Sequence, residues 1–227
     1  KRILDSCDWN GLEITPEHIR RARQAYFANI SYIDDKIGEI LDTLTDTRQE
    51  AVIVFVSDHG EMLGRRGLWF KMNFFEGAAR VPLMIAASNL VPSLITTPVC
   101  TIDITPTLCD LAGISMDEVM DWTDGQSLYP LAKGTTRLEP VAMEYAAEGS
   151  IAPMVALRDG AWKYIQCRAD PEMLFNLESD PDERNNLATD LAHLPTLERL
   201  RAVADARWDL MRFDSAVRES QARRWVV

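Results

Sequence analysis

The chain of 227 residues has the composition of a globular protein with a surplus of acidic side chains. Hydrophobic residues make up 47% and charged residues 26%, and 24 basic against 35 acidic side chains give a net charge of −11. An acidic protein is a poor ligand for nucleic acid or an anionic membrane, because phosphate binding needs clustered cations. The charge does not exclude a small cationic substrate, which an acidic protein would attract. A homo-oligomer is left open.

Neither an export signal nor a metal-binding cysteine pattern is evident. No apolar stretch follows the first residues, and the longest apolar runs, 51–56 and 81–87, are too short to span a bilayer. The four cysteines form no C-x-x-C pair, which favours free thiols in a reducing compartment. We therefore expect a cytoplasmic protein. Since no initiator methionine is present, we expect the native start to lie upstream of Lys1.

A long helix is predicted after Thr15 and Pro16, which suit a helix cap and a first turn. Apolar residues then recur every three or four positions, which predicts one buried stripe. The stripe consists of Ile19, Ala22, Tyr26, Ile30, Ile33, Ile37, Ile40 and Leu44. The acidic pair Asp34-Asp35 looks like a ligand pair, but we interpret it as part of the solvated helix face.

Two apolar segments predict strands in the first half of the chain. Residues 51–56 are apolar on both faces and rich in β-branched side chains, which predicts a central strand of a parallel sheet covered by helices. A second strand is predicted at 81–87. Thr105-Pro106 then opens a short helix that ends at Gly113.

The pattern changes near residue 136 and predicts an antiparallel α+β portion. Two apolar runs, 154–158 and 162–165, flank Asp159-Gly160, a strong hairpin signal. Further strands are predicted at 141–145 and 173–177, and one helix at about 196–213. The sequence thus predicts an α/β portion over residues 1–135 and a C-terminal subdomain over residues 136–227.

Asp58 and His59 directly follow the predicted strand 51–56, at the end where open α/β sheets place their sites. Gly60 allows the chain to turn away behind them. A carboxylate oxygen and an imidazole nitrogen form a sensible half of a divalent metal shell. A turn with a capping aspartate and an incidental histidine is an equally open interpretation, and no other cluster in the sequence obviously completes a shell.

Lys71 is the second candidate, within the aromatic-rich segment 67–76. A lone lysine on a loop that leaves such a strand can reach an anionic substrate group as a point charge. The alternative is a lysine whose stem lies on aromatic rings while its ammonium stays in water. The residue types alone favour this alternative.

Short segments with a distinctive wording occur along nearly the whole chain. They read SDHGEMLG (57–64), GLWFKMNFFE (67–76), RVPL (80–83), DITPTL (103–108), DGQSL (124–128), WKYI (162–165) and LFNL (174–177). Together these segments resemble the sulfatase family of the alkaline phosphatase superfamily. The segment 67–76 is especially similar to that of choline sulfatases. The resemblance implies an α/β fold: part of an alkaline-phosphatase-like mixed sheet with flanking helices, followed by a small antiparallel α+β subdomain.

The resemblance also implies roles for the candidate residues. Asp58 and His59 would bind a divalent cation, with calcium expected first and manganese or magnesium as alternatives. A histidine where many sulfatases carry asparagine makes manganese suitable. Lys71 would contact the sulfate ester and offset charge on the leaving oxygen.

The family nucleophile is a formylglycine made from cysteine or serine in a Cys/Ser-x-Pro/Ala-x-Arg motif, and none of the four cysteines begins that motif. The family's N-terminal aspartate pair is also absent. We therefore expect this chain to be the C-terminal part of a sulfatase, inactive by itself, with the formylglycine in a part that precedes it.

A quaternary ammonium such as choline favours aromatic faces and carboxylates. Trp69, Glu144, Tyr145 and Glu148 are the candidates, and Glu148 is preferred because 147–149 resembles a choline sulfatase segment. A plain loop carboxylate is the open alternative. Two other functions compete: a phosphonate or phosphate ester hydrolase of the same superfamily, and a non-catalytic interaction module that retains the fold.

Overall fold

The structure is a computed structural model that describes residues 11, 13–115, 123–137 and 139–224. These residues form two compact units. The first extends to residue 71 and includes 77–91, and the second consists of 72–76 and the residues from 92 onward. The division into 1–135 and 136–227 stays a prediction. None of the helices described is long and apolar enough to cross a membrane.

The first unit begins with helix α1 (Pro16–Thr47), as predicted. The Thr15 hydroxyl accepts the His18 N–H, and the His18 ring accepts the Thr15 N–H, so two of the orphan donors at the helix start are satisfied. The predicted buried stripe is wrong for the described structure, since α1 contains no buried residue and Ile33 is 52% exposed. The pattern identifies an apolar face, but the described residues leave that face largely uncovered.

The first unit also holds strand β1 (Ile53–Val56), helix α2 (Glu76–Ala79, whose first residue belongs to the second unit) and strand β2 (Leu83–Ala86). The two strands pair antiparallel, with Ile53 opposite Ala86 and Val56 opposite Leu83. The predicted parallel pairing does not occur among the described strands. The connection carries only short helical segments and reverses the chain, whereas a parallel pair needs a full crossover.

The second unit opens with helices α3 (Ile104–Leu111) and α4 (Tyr129–Ala132). A four-stranded antiparallel sheet follows in the order β3-β4-β5-β6. Its strands are β3 (Val141–Tyr145), β4 (Met154–Asp159), β5 (Trp162–Cys167) and β6 (Asp170–Asn176). The predicted hairpin is confirmed, because Asp159 pairs with Trp162 across a turn in which Gly160 has φ +53°.

Two helices end the second unit, α5 (Leu194–Arg207) and α6 (Leu210–Arg224). The prediction of one continuous helix is wrong, because Trp208 adopts an extended backbone (φ −126°, ψ 126°) between them. Its indole N–H donates to Glu144 Oε1 on β3 at 2.6 Å. This tertiary hydrogen bond lies at the point where the helix is interrupted, and the apolar periodicity of the sequence does not show that interruption.

Both faces of the four-stranded sheet are covered. Leu157, Tyr164 and Leu174 pack with Leu197, Leu200 and Ala204 of α5 on one face. Ala156, Ile165 and Phe175 pack with Phe74 on the other. Neighbouring residues of one strand thus enter different cores, as the two-residue period of a strand requires.

A buried lysine lies on the Phe74 side of this sheet. The Lys163 side chain is 1% exposed, and its Nζ lies 2.5 Å from Glu76 Oε1, 2.9 Å from Glu183 Oε1 and 2.8 Å from the Phe74 carbonyl. Glu183 also accepts the Glu76 N–H at 2.7 Å. The segment 72–76 is thereby fixed within the second unit.

The free-thiol prediction is confirmed for Cys100, Cys109 and Cys167, which form no disulfide. Cys7 lies outside the described residues.

Candidate active site

The site begins where β1 ends. The Ser57 hydroxyl donates to the His59 carbonyl at 2.9 Å, and the Gly60 N–H donates to the Ala78 carbonyl at 2.8 Å. A Cβ on residue 60 would lie only 2.2 Å from the Gly77 carbonyl oxygen, so glycine is required there for steric reasons. These contacts fix the backbone that carries Asp58 and His59.

The Asp58 carboxylate is ionised and open to solvent. The His59 N–H donates to Asp58 Oδ1 at 2.9 Å, and this backbone hydrogen bond is the main cause that lowers the Asp58 pKa below its ordinary value. The side chain is 83% exposed, and Oδ2 lies 3.3 Å from His59 Nε2. A carboxylate oxygen and an imidazole nitrogen therefore face a common point.

The tautomer of His59 follows from its partners. Nδ1 lies 2.8 Å from the Gly60 carbonyl, which can only accept a hydrogen bond. Nδ1 therefore carries a hydrogen, which leaves Nε2 as the nitrogen that can accept a hydrogen bond or bind a metal. Lys71 Nζ donates to Nε2 at 2.9 Å. The structure thus brings Asp58, His59 and Lys71 together, although Lys71 lies twelve residues after His59 in the sequence.

Glu61 is a contributor that the sequence analysis missed. Its Oε1 accepts the N–H of Phe70 at 2.6 Å and the N–H of Leu63 at 3.2 Å. The loop is closed further by the Met62 N–H, which donates to the Phe70 carbonyl at 3.0 Å. In the sequence, Glu61 is only a carboxylate two residues after the histidine, at the start of a glycine-containing loop that returns to Lys71, and its partners cannot be seen there.

The donor set fits a divalent cation in part. One exposed carboxylate and one imidazole lone pair suit calcium, magnesium or manganese. Among the described residues, no group of three or more His, Cys, Asp and Glu side chains is placed to hold a metal ion. Within the described part of the chain, Asp58 and His59 alone could therefore offer at most two ligands to a cation.

The candidates for cation recognition lie in different units. Trp69 is half-buried in the first unit, whereas Glu144, Tyr145 and Glu148 belong to the second. The Tyr145 hydroxyl donates to the Glu148 carbonyl oxygen at 2.8 Å, which leaves the exposed Glu148 carboxylate unused by this contact. Burial, together with the Glu148 charge, raises the Tyr145 pKa. The Glu144 carboxylate already accepts the Trp208 indole N–H.

The serine form of the family's nucleophile motif, Ser-x-Pro/Ala-x-Arg, occurs once in the sequence. It does not involve any of the four cysteines. Ser220-Gln221-Ala222-Arg223-Arg224 fits Ser-x-Ala-x-Arg. This stretch forms the C-terminal end of α6, where free carbonyls and the negative end of the helix dipole disfavour a sulfate group. We assign no nucleophile to it.

Comparison with known proteins places the chain in a class. Residues 5–114 match the sulfatase family model, and residues 64–209 match the model of the N-sulphoglucosamine sulphohydrolase C-terminal region. The chain belongs to the sulfatase family, and the predicted resemblance is confirmed.

Among curated relatives, the choline-sulfatase of Rhizobium meliloti (strain 1021) is 59% identical over the full chain. Arylsulfatase K of Gallus gallus is 33% identical over 78% of the chain. The chain spans less than half the length of these proteins, 45% of the first and 35% of the second.

Solved structures confirm the fold class. A phosphonate monoester hydrolase from Silicibacter pomeroyi superposes with a TM-score of 0.73 and 30% identity, covering 88% of this chain and 43% of that protein. A protein solved in complex with its substrate D-glucosamine-2-N,6-O-disulfate gives a TM-score of 0.75 at 21% identity, covering 91% of this chain and 44% of that one, which shows a shared fold.

Proposed function

We propose that this chain is the C-terminal part of a cytoplasmic, metal-dependent sulfuric ester hydrolase that converts choline sulfate to choline and sulfate. Asp58 Oδ2 and Lys71 Nζ lie 3.3 Å and 2.9 Å from His59 Nε2, and this convergence carries the proposal. A carboxylate, an imidazole and an ammonium that meet beside one strand end suit an anionic ester held beside a cation.

Asp58 Oδ2 and His59 Nε2 would hold the divalent cation, with calcium first and manganese or magnesium as alternatives. When bound, such an ion supplies Lewis-acid stabilisation of charge on a substrate oxygen. The hydrogen bond from Nδ1 to the Gly60 carbonyl keeps Nε2 available as a ligand. His59 would hold the cation through Nε2, the nitrogen that Lys71 Nζ contacts at 2.9 Å, so the Lys71 ammonium would lie at the edge of the same site.

Lys71 would then contact the sulfate ester. A desolvated ammonium near the leaving oxygen stabilises the negative charge that develops as the ester bond breaks. The covalent step needs a nucleophile, and we place the formylglycine outside this chain. The isolated 227-residue chain should therefore show no sulfatase activity and bind calcium weakly.

Choline is proposed as the alcohol part of the substrate because the 59% identical relative is a choline-sulfatase. Glu148 is the residue proposed to face the quaternary ammonium. Its carboxylate is exposed, and the Tyr145 hydroxyl holds the Glu148 backbone through its carbonyl oxygen. A carboxylate with an adjacent aromatic ring is the chemistry that recognises such a cation.

A phosphonate monoester hydrolase is the second candidate, favoured by the 30% identical solved structure of that activity. The two functions separate in a substrate panel. A protein that carries this chain together with the remaining length of its curated relatives should hydrolyse choline sulfate more efficiently than an aryl sulfate or a phosphonate monoester. Preference for the phosphonate would favour the second candidate. No turnover of any of the three would favour a non-catalytic module.

A further inference from the structure

The loop between His59 and Lys71 is closed by one carboxylate. Glu61 Oε1 receives the N–H groups of Leu63, near the start of the loop, and Phe70, at its end. The second of these hydrogen bonds, at 2.6 Å, is in the short range typical of a charge-assisted bond. One side chain therefore ties both ends of the loop together.

Phe70 needs this support because its backbone is in an unfavourable region. Its φ is +64°, in the left-handed region that non-glycine residues rarely adopt. Both of its backbone polar groups are held: Glu61 accepts its N–H, and the Met62 N–H donates to its carbonyl oxygen. Such a conformation persists only where the surrounding contacts determine it.

Lys71 follows Phe70 directly, so the Phe70 backbone sets the direction in which the Lys71 side chain leaves the loop. That side chain ends 2.9 Å from His59 Nε2. We infer that Glu61 is a positioning residue that holds Lys71 against His59 by fixing the left-handed backbone of Phe70. The catalytic consequence rests on the proposed function, whereas the structural claim does not.

The structural claim is tested on the 227-residue chain by nuclear magnetic resonance. The Lys71 ε-methylene should show an Overhauser contact to the His59 ring in the wild type and in Glu61→Gln, since glutamine keeps the acceptor oxygen. In Glu61→Ala this contact should disappear, and the Phe70 amide should exchange roughly 10- to 100-fold faster, the range for losing a hydrogen bond to a charged group.

Internal references separate local loosening from unfolding. The β1–β2 pairing of Phe55 with Met84 should keep its cross-strand contacts in Glu61→Ala. Glu39→Ala is the matched control, because Glu39 pairs with Lys36 on the exposed surface of α1 and should change nothing in the loop. If the Lys71–His59 contact and slow Phe70 exchange survive in Glu61→Ala, the inference is wrong. If β1–β2 unfolds together with the loop, Glu61 is a general stability residue and the inference is also overturned.

The catalytic consequence is measured in the longer protein. Glu61→Ala should lower kcat by about 10²-fold, the scale of a misplaced catalytic group, with a smaller change in KM. Glu61→Gln should restore kcat to near the wild-type value. A wild type without sulfatase activity would refute the proposed function and leave the resonance experiment to decide the role of Glu61.

Discussion

The two units differ in how their apolar residues are used. In the second unit, both faces of the four-stranded sheet enter closed cores, and Leu157, Leu174 and Leu200 are at most 1% exposed. In the first unit, α1 has no buried residue, and Met84 of β2 is 60% exposed. The candidate reactive side chains Asp58, His59 and Lys71 all belong to the first unit. Stability and chemistry are therefore expected to respond to different substitutions.

The largest expected effect on stability is at the buried lysine of the second unit. Lys163→Met removes the cation between Glu76 and Glu183 and leaves their carboxylates without it. Breaking a buried pair in this way should lower the free energy of unfolding by about 3–5 kcal/mol. Chemical denaturation of the chain checks this value.

Lys36→Met is the control for that substitution, because the Lys36–Glu39 pair is exposed on α1 and should contribute at most about 1 kcal/mol. Equal losses for the two variants would contradict the contrast between the units.

A second pair of substitutions compares the apolar patterns directly. Leu200→Ala should cost about 2–5 kcal/mol, because Leu200 is 0% exposed and its removal leaves a cavity. Ile33→Ala, at a position that the sequence predicts to be buried, should cost no more than about 0.5 kcal/mol, because Ile33 is 52% exposed. A large loss for Ile33→Ala in the 227-residue chain would show that α1 is covered.

The smallest expected effect concerns substrate choice. Glu148→Gln keeps the side-chain shape and removes the charge, so in the longer protein KM for choline sulfate should rise about tenfold, equivalent to about 1.4 kcal/mol. A neutral aryl sulfate should be hydrolysed as before, because it has no cation to pair. A loss shared equally by both substrates would assign Glu148 a structural or catalytic role instead.

The comparison between units also explains how much could be predicted. The hairpin at Asp159-Gly160 and helix α3 follow from local signals, and the structure has both. Asp58 and His59 are singled out by their position directly after an apolar strand, and the structure brings them close together, while their role stays a prediction. The hairpin and the helix can be predicted because each depends on residues close together in the sequence.

Other features depend on contacts that sequence pattern does not contain. The periodicity of α1 correctly predicts an apolar face. It does not show whether other parts of the chain pack against that face, and the described residues leave it largely exposed. The break at Trp208 coincides with an indole hydrogen bond to Glu144, 64 positions away. Glu61 could not be found from composition, because its role depends on the left-handed Phe70 backbone.

The central claim is that Lys71 acts on the substrate and does not merely rest on neighbouring aromatic rings. It is tested most directly by kcat/KM for choline sulfate in the longer protein, with Lys71→Ala compared with the wild type and unfolding measured in parallel. The account predicts a loss of about 10²–10³-fold, the scale of removing one donor to developing negative charge, with the free energy of unfolding unchanged. Wild-type kinetics in Lys71→Ala would contradict it.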